Sequence, residues 1–331
     1  MARIRREAMI LPMAFALACA SSAPPPSGIS SHAASTGAPM SPADESIAPD
    51  WAMRACQRVT FGAPVAVSVD FGGTVFVADG SPPRLVSYTE SSQRCVEFQT
   101  PDDWPAFRPS DVAVRGFFVY AIDEPDRALL RWDASGTWRD VLLNFEDLTV
   151  PGRRISPCGL DVDAATGRVA VTDIENHQVL VLDSYLHVDV AFGNYGAFDG
   201  QLDTPRGVSF TPQGELLVAD SRNARVQFFS DAGTFRRAIP AQGEKSPMRQ
   251  PRRAVAVEDG RVLVADPAAG RVFEFGADGT LLRSIVPPGS ARFEPTDVAA
   301  GRDGRLYVTD GATQTLYAFA IGTTTPAAKE P

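Results

Sequence analysis

The chain has 331 residues and a formal charge of −9, from 31 Lys and Arg against 40 Asp and Glu. That acidic balance disfavours nucleic-acid phosphates and anionic membrane surfaces as partners. Hydrophobic residues make up 44% of the chain, enough for a large core, and the three histidines, His32, His177 and His187, leave little scope for a histidine-rich metal centre.

Residues 1–18 read as a signal peptide. Arg3, Arg5 and Arg6 form a charged start, and the apolar run Ala8–Ala18 is shorter than the roughly 20 residues of a membrane-spanning helix. The segment Phe15-Ala-Leu-Ala-Cys19 resembles a bacterial lipoprotein cleavage box. The resemblance implies lipidation of Cys19 and attachment to an outer or cell-surface membrane through the lipid anchor only. Simple cleavage near Ala18 or Ala20 would instead give a secreted or periplasmic product. Residues 19–52 are rich in Ala, Ser and Pro and poor in large apolar side chains, so a disordered tether is expected there.

Residues 53–322 carry an internal repeat. Apolar strands end at Asp79, Asp123, Asp173, Asp220, Asp266 and Asp310, 44 to 50 residues apart. A proline opens each unit on the same beat, at Pro64, Pro109, Pro157, Pro205, Pro251 and Pro295. Residues 205–240 show the unit best, with GVSF, ELLVAD, ARVQFF and FRRAI as four strands separated by polar or Gly-containing turns. Four strands per period in the forties mark a β-propeller. The expected fold is all-β, a six-bladed β-propeller of four-stranded antiparallel blades. The strands VFVA, VAVT, LLVA and VLVA are continuous apolar runs, as strands covered on both faces should be.

The sixth unit stops after residues 315–322 without a fourth strand. Arg54–Phe61 stands where a fourth strand would precede Pro64, so this N-terminal strand is expected to complete the last blade and close the ring. Cys56 and Cys95 then fall on the outer strands of blades six and one and are candidates for a disulfide. Cys158, beside Pro157, reads as a buried small side chain. Residues 323–331 are expected to be a flexible tail.

The stretch Pro205–Phe229 combines Pro-Arg-Gly-Val, Gly-x-x-x-Val-Ala-Asp and Asn-x-Arg-Val-x-x-Phe, and so resembles the NHL-repeat family. Traces of the pattern extend over residues 56 to 322. The resemblance implies the propeller fold and leaves activity open. Zinc-dependent amidating lyases that share the repeat use several channel histidines, which this chain lacks. Six-bladed lactonases hold calcium with a Glu, Asn and Asp set that has no counterpart in register. Some animal NHL proteins bind RNA; an export signal and an acidic chain argue against that here.

The strand order puts the post-proline residues, the Asp turns and the loops between blades on one face, here termed the top. The six repeated Asp residues suit a structural role, accepting hydrogen bonds from turn N–H groups. Two residues after each proline stand Ala66, Asp111, Gly159, Gly207, Arg253 and Asp297. Asp111 and Asp297 could bind a cation or pair with Arg253. Arg206, Arg252 and Arg253, with Lys245 and Arg249 in the preceding loop, form a basic patch suited to carboxylate or phosphate groups. Trp104, Phe107, Tyr195 and Phe198 add aromatic surface on that face. No catalytic constellation, metal set or cofactor motif emerges. The resulting expectation is a non-catalytic binding or scaffold propeller, exported to the cell envelope, that docks a protein or small acidic ligand at the channel mouth, with no nucleic acid and no cofactor. The alternative is a lactonase- or lyase-like enzyme with an atypical channel site.

Overall fold

The computed structural model describes residues 44–100, 104, 107–148, 154–241, 243–290 and 292–322. The expected signal peptide, Cys19, most of the expected tether and the tail lie outside the described residues.

Six four-stranded antiparallel sheets follow one another along the chain. From inner to outer strand, blade one runs Pro64–Val69, Thr74–Gly80, Pro83–Thr89 and Arg94–Glu97. Blade two runs Pro109–Arg115, Phe118–Asp123, Ala128–Asp133 and Trp138–Asn144. Blade three runs Pro157–Val162, Val169–Asp173, Gln178–Leu182 and Val188–Phe192. Blade four runs Pro205–Phe210, Leu216–Asp220, Arg225–Phe229 and Phe235–Ile239. Blade five runs Arg253–Ala256, Val262–Asp266, Arg271–Phe275 and Leu281–Val286. Blade six has Pro295–Ala300, Arg305–Asp310 and Thr315–Ala320, with its outer strand supplied by Trp51–Met53. Each inner strand packs against the next, and the sixth against the first, so the ring closes.

The core is divided among the seams between blades. Six hydrophobic clusters are present among the described residues, each built from two neighbouring blades. The pleat sends successive side chains to opposite faces. In blade one, Val75 and Val77 therefore pack toward blade six, while Phe76 and Ala78 pack toward blade two. In blade four, Leu216 and Val218 face blade three and Leu217 faces blade five. This division explains the unbroken apolar runs, since one blade alone would leave both faces wet.

Closure differs from the sequence expectation in detail. The strand that completes blade six is Trp51–Met53, with Trp51 opposite Ala318 and Met53 opposite Leu316. Arg54–Phe61 forms instead a small hairpin, Ala55–Cys56 against Val59–Thr60. Arg54, Gln57 and Arg58 would be poor seam residues, whereas Trp51 packs its ring 5.6 Å from Tyr88 and 6.0 Å from Tyr307 across the seam. The hairpin carries Cys56 to the outer strand of blade one, where it forms a disulfide with Cys95 at a Cα separation of 6.0 Å. Arg305 adds a polar clasp, donating from Nε to Asp50 at 3.1 Å and from Nη1 to Glu90 at 2.5 Å. Upstream of this, Asp44–Ser46 runs parallel to Leu281–Val286 as a fifth strand on blade five. Strands thus begin at Asp44, inside the stretch 19–52 expected to be tether. Both additions answer exposed strand edges with backbone hydrogen bonds, a requirement that composition does not reveal.

The repeated Asp side chains hold the top loops. Asp79, Asp123, Asp173, Asp220, Asp266 and Asp310 are all fully buried. Each accepts a backbone N–H from the loop entering its own blade: Ala63, Arg108, Ser156, Asp203, Gln250 and Glu294 respectively. Their structural role follows from satisfying donors that the loop would otherwise bury unpaired.

Candidate functional site at the channel mouth

The first and second residues after each proline line a small cavity of about 20 Å³ at the top of the channel, room for about one water. The prolines fix where each inner strand begins, so residues far apart in sequence meet there. Two glycines make the approach possible. A Cβ on Gly159 would lie 2.2 Å from the carbonyl oxygen of Arg206, and one on Gly207 would lie 2.5 Å from that of Arg252. These positions let blades three and four sit close to the following blade, which brings the Arg206 and Arg252 backbones inward.

The structure brings Asp111, Asp297 and Arg253 together in the channel, with all three buried. Arg253 donates from Nη1 to Asp111 Oδ2 at 2.9 Å and to the Leu160 carbonyl at 2.9 Å, and its Nε stands 3.8 Å from Asp297 Oδ1. The two carboxylates are also engaged by backbone. Asp111 accepts the N–H groups of Val112 and Leu160, at 2.8 and 2.6 Å. Asp297 accepts those of Val298 and Val67, at 2.8 and 2.8 Å. Each therefore joins its own inner strand to that of the next blade. A cation between them would have to displace Arg253. Among the described residues no group of three His, Cys, Asp or Glu is placed to hold a metal ion.

Asp161 joins this set and was not anticipated. It lies two residues beyond Gly159, so the strand period returns it to the same side. It accepts Val162 N–H at 2.9 Å and Phe210 N–H at 2.7 Å, tying blade three to blade four. Burial pushes the Asp161 carboxyl up to about 6, against the pull of Arg253. Burial pushes Asp297 up to about 7, again against Arg253. Asp111 is raised by burial as well. For Arg253, burial works to lower the pKa, and Asp111, Asp297 and Asp161 outweigh it and hold it above the ordinary value. Two buried acids and the half-buried Asp161 around one guanidinium favour retaining a proton among them near neutral pH.

The basic patch is divided. Arg253 is internal and paired. Arg206 and Arg252 are half-buried at the mouth, and both line the cavity. Lys245 and Arg249 are exposed on the loop before Pro251 and lie outside the cavity lining, with Arg249 Nη1 3.4 Å from the Ala268 carbonyl. Burial lowers Arg206 to about 10, with Arg252 and Arg222 pushing the same way and Glu124 opposing. Burial also lowers Arg252, and Asp297, Asp111 and Glu124 pull it back up. Four carboxylates of the same top loops are engaged elsewhere. Asp220 and Asp199 face Arg225 at 2.8 and 3.7 Å, Asp203 lies 3.6 Å from His177, and Glu244 accepts the Ala241 N–H at 3.2 Å.

The top-face aromatics also divide. Phe107 is buried between blades one and two, 5.6 Å from Trp132, and Trp104 donates from its indole N–H to Asp123. Tyr195 and Phe198 are exposed, at 68% and 70%. His177 accepts the Thr204 N–H at 3.0 Å and packs 4.9 Å from Tyr195. His187 stands beside Asp183 in a turn at the other end of the blade, so the two do not converge. No cysteine among the described residues is a free thiol, which leaves Cys158 no role as a nucleophile.

Comparison with known proteins supports the repeat and the fold. The NHL repeat family model matches residues 202–229. The chain is 42% identical over 45 residues to the B-box type zinc finger protein ncl-1 of Caenorhabditis elegans, a match covering 14% of this chain and 5% of that protein. It is 33% identical over 69 residues to Protein brain tumor of Drosophila melanogaster, covering 20% of this chain and 7% of that protein. The match thus spans a small fraction of each relative. Among solved structures, a gluconolactonase from Xanthomonas campestris superposes with a TM-score of 0.61 at 18% identity, covering 84% of this chain and 98% of its own. A streptogramin B lyase gives a TM-score of 0.60 at 11% identity, covering 81% and 96%. A nidogen/laminin complex gives 0.57 at 15%, covering 72% and 85%. At these identities the likeness establishes the six-bladed propeller fold alone.

Proposed function

We propose that the protein is a non-catalytic binding propeller, exported to the cell envelope, that docks a protein partner on its top face at the channel mouth. The observation that carries this reading is the state of the channel. Its carboxylates are locked to Arg253 and to the backbone of neighbouring blades, while the guanidinium of Arg252 has no side-chain partner among the described residues. A group held in place on every side supports architecture; a half-buried guanidinium that makes no side-chain hydrogen bond supports recognition. Export rests on the charged and apolar start of the chain, and anchoring rests on Cys19.

Affinity capture from envelope extract tests the docking reading. Partner capture should fall when Arg206 and Arg252 are replaced by Gln, and capture identical to wild type at low salt counts against it. Anchoring predicts that Cys19→Ser moves the protein from the membrane to the soluble fraction.

A lactonase- or lyase-like activity is the second reading, favoured by the superposition with a gluconolactonase and a streptogramin B lyase. Metal analysis of the purified protein together with a lactone hydrolysis assay separates the two. Stoichiometric calcium with turnover abolished by Asp297→Asn would establish the enzyme.

A further inference from the structure

Resting on the reading that the chain is anchored through Cys19, we infer that the bottom of blades one to three is a membrane-contact surface, which lies on neutral phospholipid and turns the channel mouth away from the bilayer. The bottom is the end opposite the channel mouth, where strands one and two of each blade turn, and strands three and four.

The first observation is where apolar side chains are left in water. Eight large apolar side chains are exposed among the described residues; Tyr195 and Phe198 are at the top and the other six at the bottom. Three of the six are aromatic tips on neighbouring blades: Phe71 in blade one is 61% exposed, Phe117 in blade two 84% and Tyr185 in blade three 80%. Single exposed apolar side chains need no explanation, whereas a series on adjacent turns marks an interaction surface.

The second is how the tips are held. Asp70 Oδ1 accepts the N–H groups of Gly72 and Thr74, each at 2.8 Å, and Asp183 Oδ1 accepts those of Tyr185 and His187, each at 2.9 Å. The Phe117 carbonyl accepts the Ala134 N–H at 2.9 Å. Turns fixed in this way lose little entropy when their tips are buried. The Arg302 guanidinium, from blade six, lies 4.0 Å from the centre of the Phe71 ring, and that of Arg131 lies 4.9 Å from the centre of Phe118. Aromatic rings with guanidiniums beside them suit the boundary between acyl chains and phosphate headgroups.

The third is the direction from which the chain arrives, and it selects a membrane as the occupant. Asp44 pairs with Ser284 and Ser46 with Val286, in parallel. Leu281–Val286 climbs from the bottom turn after Phe275 toward the top, so Asp44–Ser46 climbs too. Its N-terminal end, the end nearer Cys19 in sequence, therefore points to the bottom. One acyl chain holds a protein on a membrane only marginally, and a second contact makes the attachment stable. The lipid is neutral because the bottom turns of blades four and five expose Asp231, Glu258, Asp259 and Asp278, which repel anionic headgroups.

The test is co-sedimentation of the signal-processed chain carrying Cys19→Ser, and so without lipid, with phosphatidylcholine vesicles. It should partition saturably, and weakly enough that washing releases it. Phe71→Ser and Phe117→Ser should each weaken partition by about tenfold; neither side chain belongs to a hydrophobic cluster of the core. In the lipid-modified protein on vesicles, Phe117→Trp should add emission that brominated acyl chains quench. No partition together with unquenched emission overturns the proposal, as does partition unchanged in the double serine variant. Binding confined to phosphatidylglycerol vesicles and abolished by salt overturns the neutral aromatic contact. Capture of an envelope protein that the serine variants lose, with no vesicle binding by the parent, gives the face to a protein and overturns the membrane contact. Wild type in the soluble fraction with vesicle partition intact sinks the Cys19 anchor and leaves the contact face standing.

Discussion

At the scale of single residues, the buried ionic cluster makes two predictions. Replacing Arg253 by Met leaves Asp111, Asp297 and Asp161 without their central cation. Breaking a buried pair from one side costs about 3–5 kcal/mol, and the cost should be smaller at pH 5 than at pH 8 because the acids can then be neutral. Urea unfolding at the two pH values measures this; an equal loss at both would show that the carboxylates are not the source. The second concerns wild type. Asp161 is pushed up to about 6 and Asp297 to about 7, from an ordinary 3.8. Between pH 4 and 7 the folded state therefore binds more protons than the unfolded chain, so these groups make stability fall as pH rises through that window. The difference in melting temperature between wild type and Asp297→Asn should shrink as pH falls from 8 to 5. A constant offset would mean that Asp297 is ionised throughout.

At the scale of elements, closure rests on a three-residue strand, a hairpin and a disulfide. The Cys56–Cys95 bridge spans 39 residues of sequence, a loop for which the chain-entropy account gives about 3–4 kcal/mol. Cys95→Ser should lower the midpoint of unfolding accordingly. Deleting residues 44–53 removes the outer strand of blade six and the extra strand on blade five together. It should cost more than Trp51→Ala, which removes only the ring between Tyr88 and Tyr307. Thermal melts of the two variants compare them directly. Equal stability of the deletion and the full chain would remove Trp51–Met53 from any role in closure.

At the scale of the whole molecule, a chain of net charge −9 presents guanidiniums at one point of its surface. Local attraction then acts against a general repulsion of acidic partners, and salt screens both. Because the contact charges are half-buried, they should be screened less than the distant acidic surface. Partner capture should therefore persist at about 0.15 M salt, where the Debye length is about 8 Å, and fall near 1 M. Capture that only strengthens with salt would point to an apolar interface around Tyr195 and Phe198 instead.

The sequence by itself determined the architecture. Six prolines and six aspartates on one beat, with apolar runs between them, specify blades because strand periodicity, turn chemistry and loop capping are local properties. It also indicated Asp111, Asp297 and Arg253 as equivalent positions in their units. What it could not determine was which neighbours those side chains would meet. That Arg253 reaches Asp111, 142 residues away, depends on ring closure and on the glycines that let inner strands approach. Asp161 and Glu124 carried no repeat signal, since the residues at the matching positions in other blades are mostly small or apolar. The closing strand was misplaced by a few residues because the edge it fills exists only once the ring has formed. Tertiary structure alone decided which arginine is internal and which faces the mouth, because desolvation and pairing are fixed by distance across the channel and not by distance along the chain.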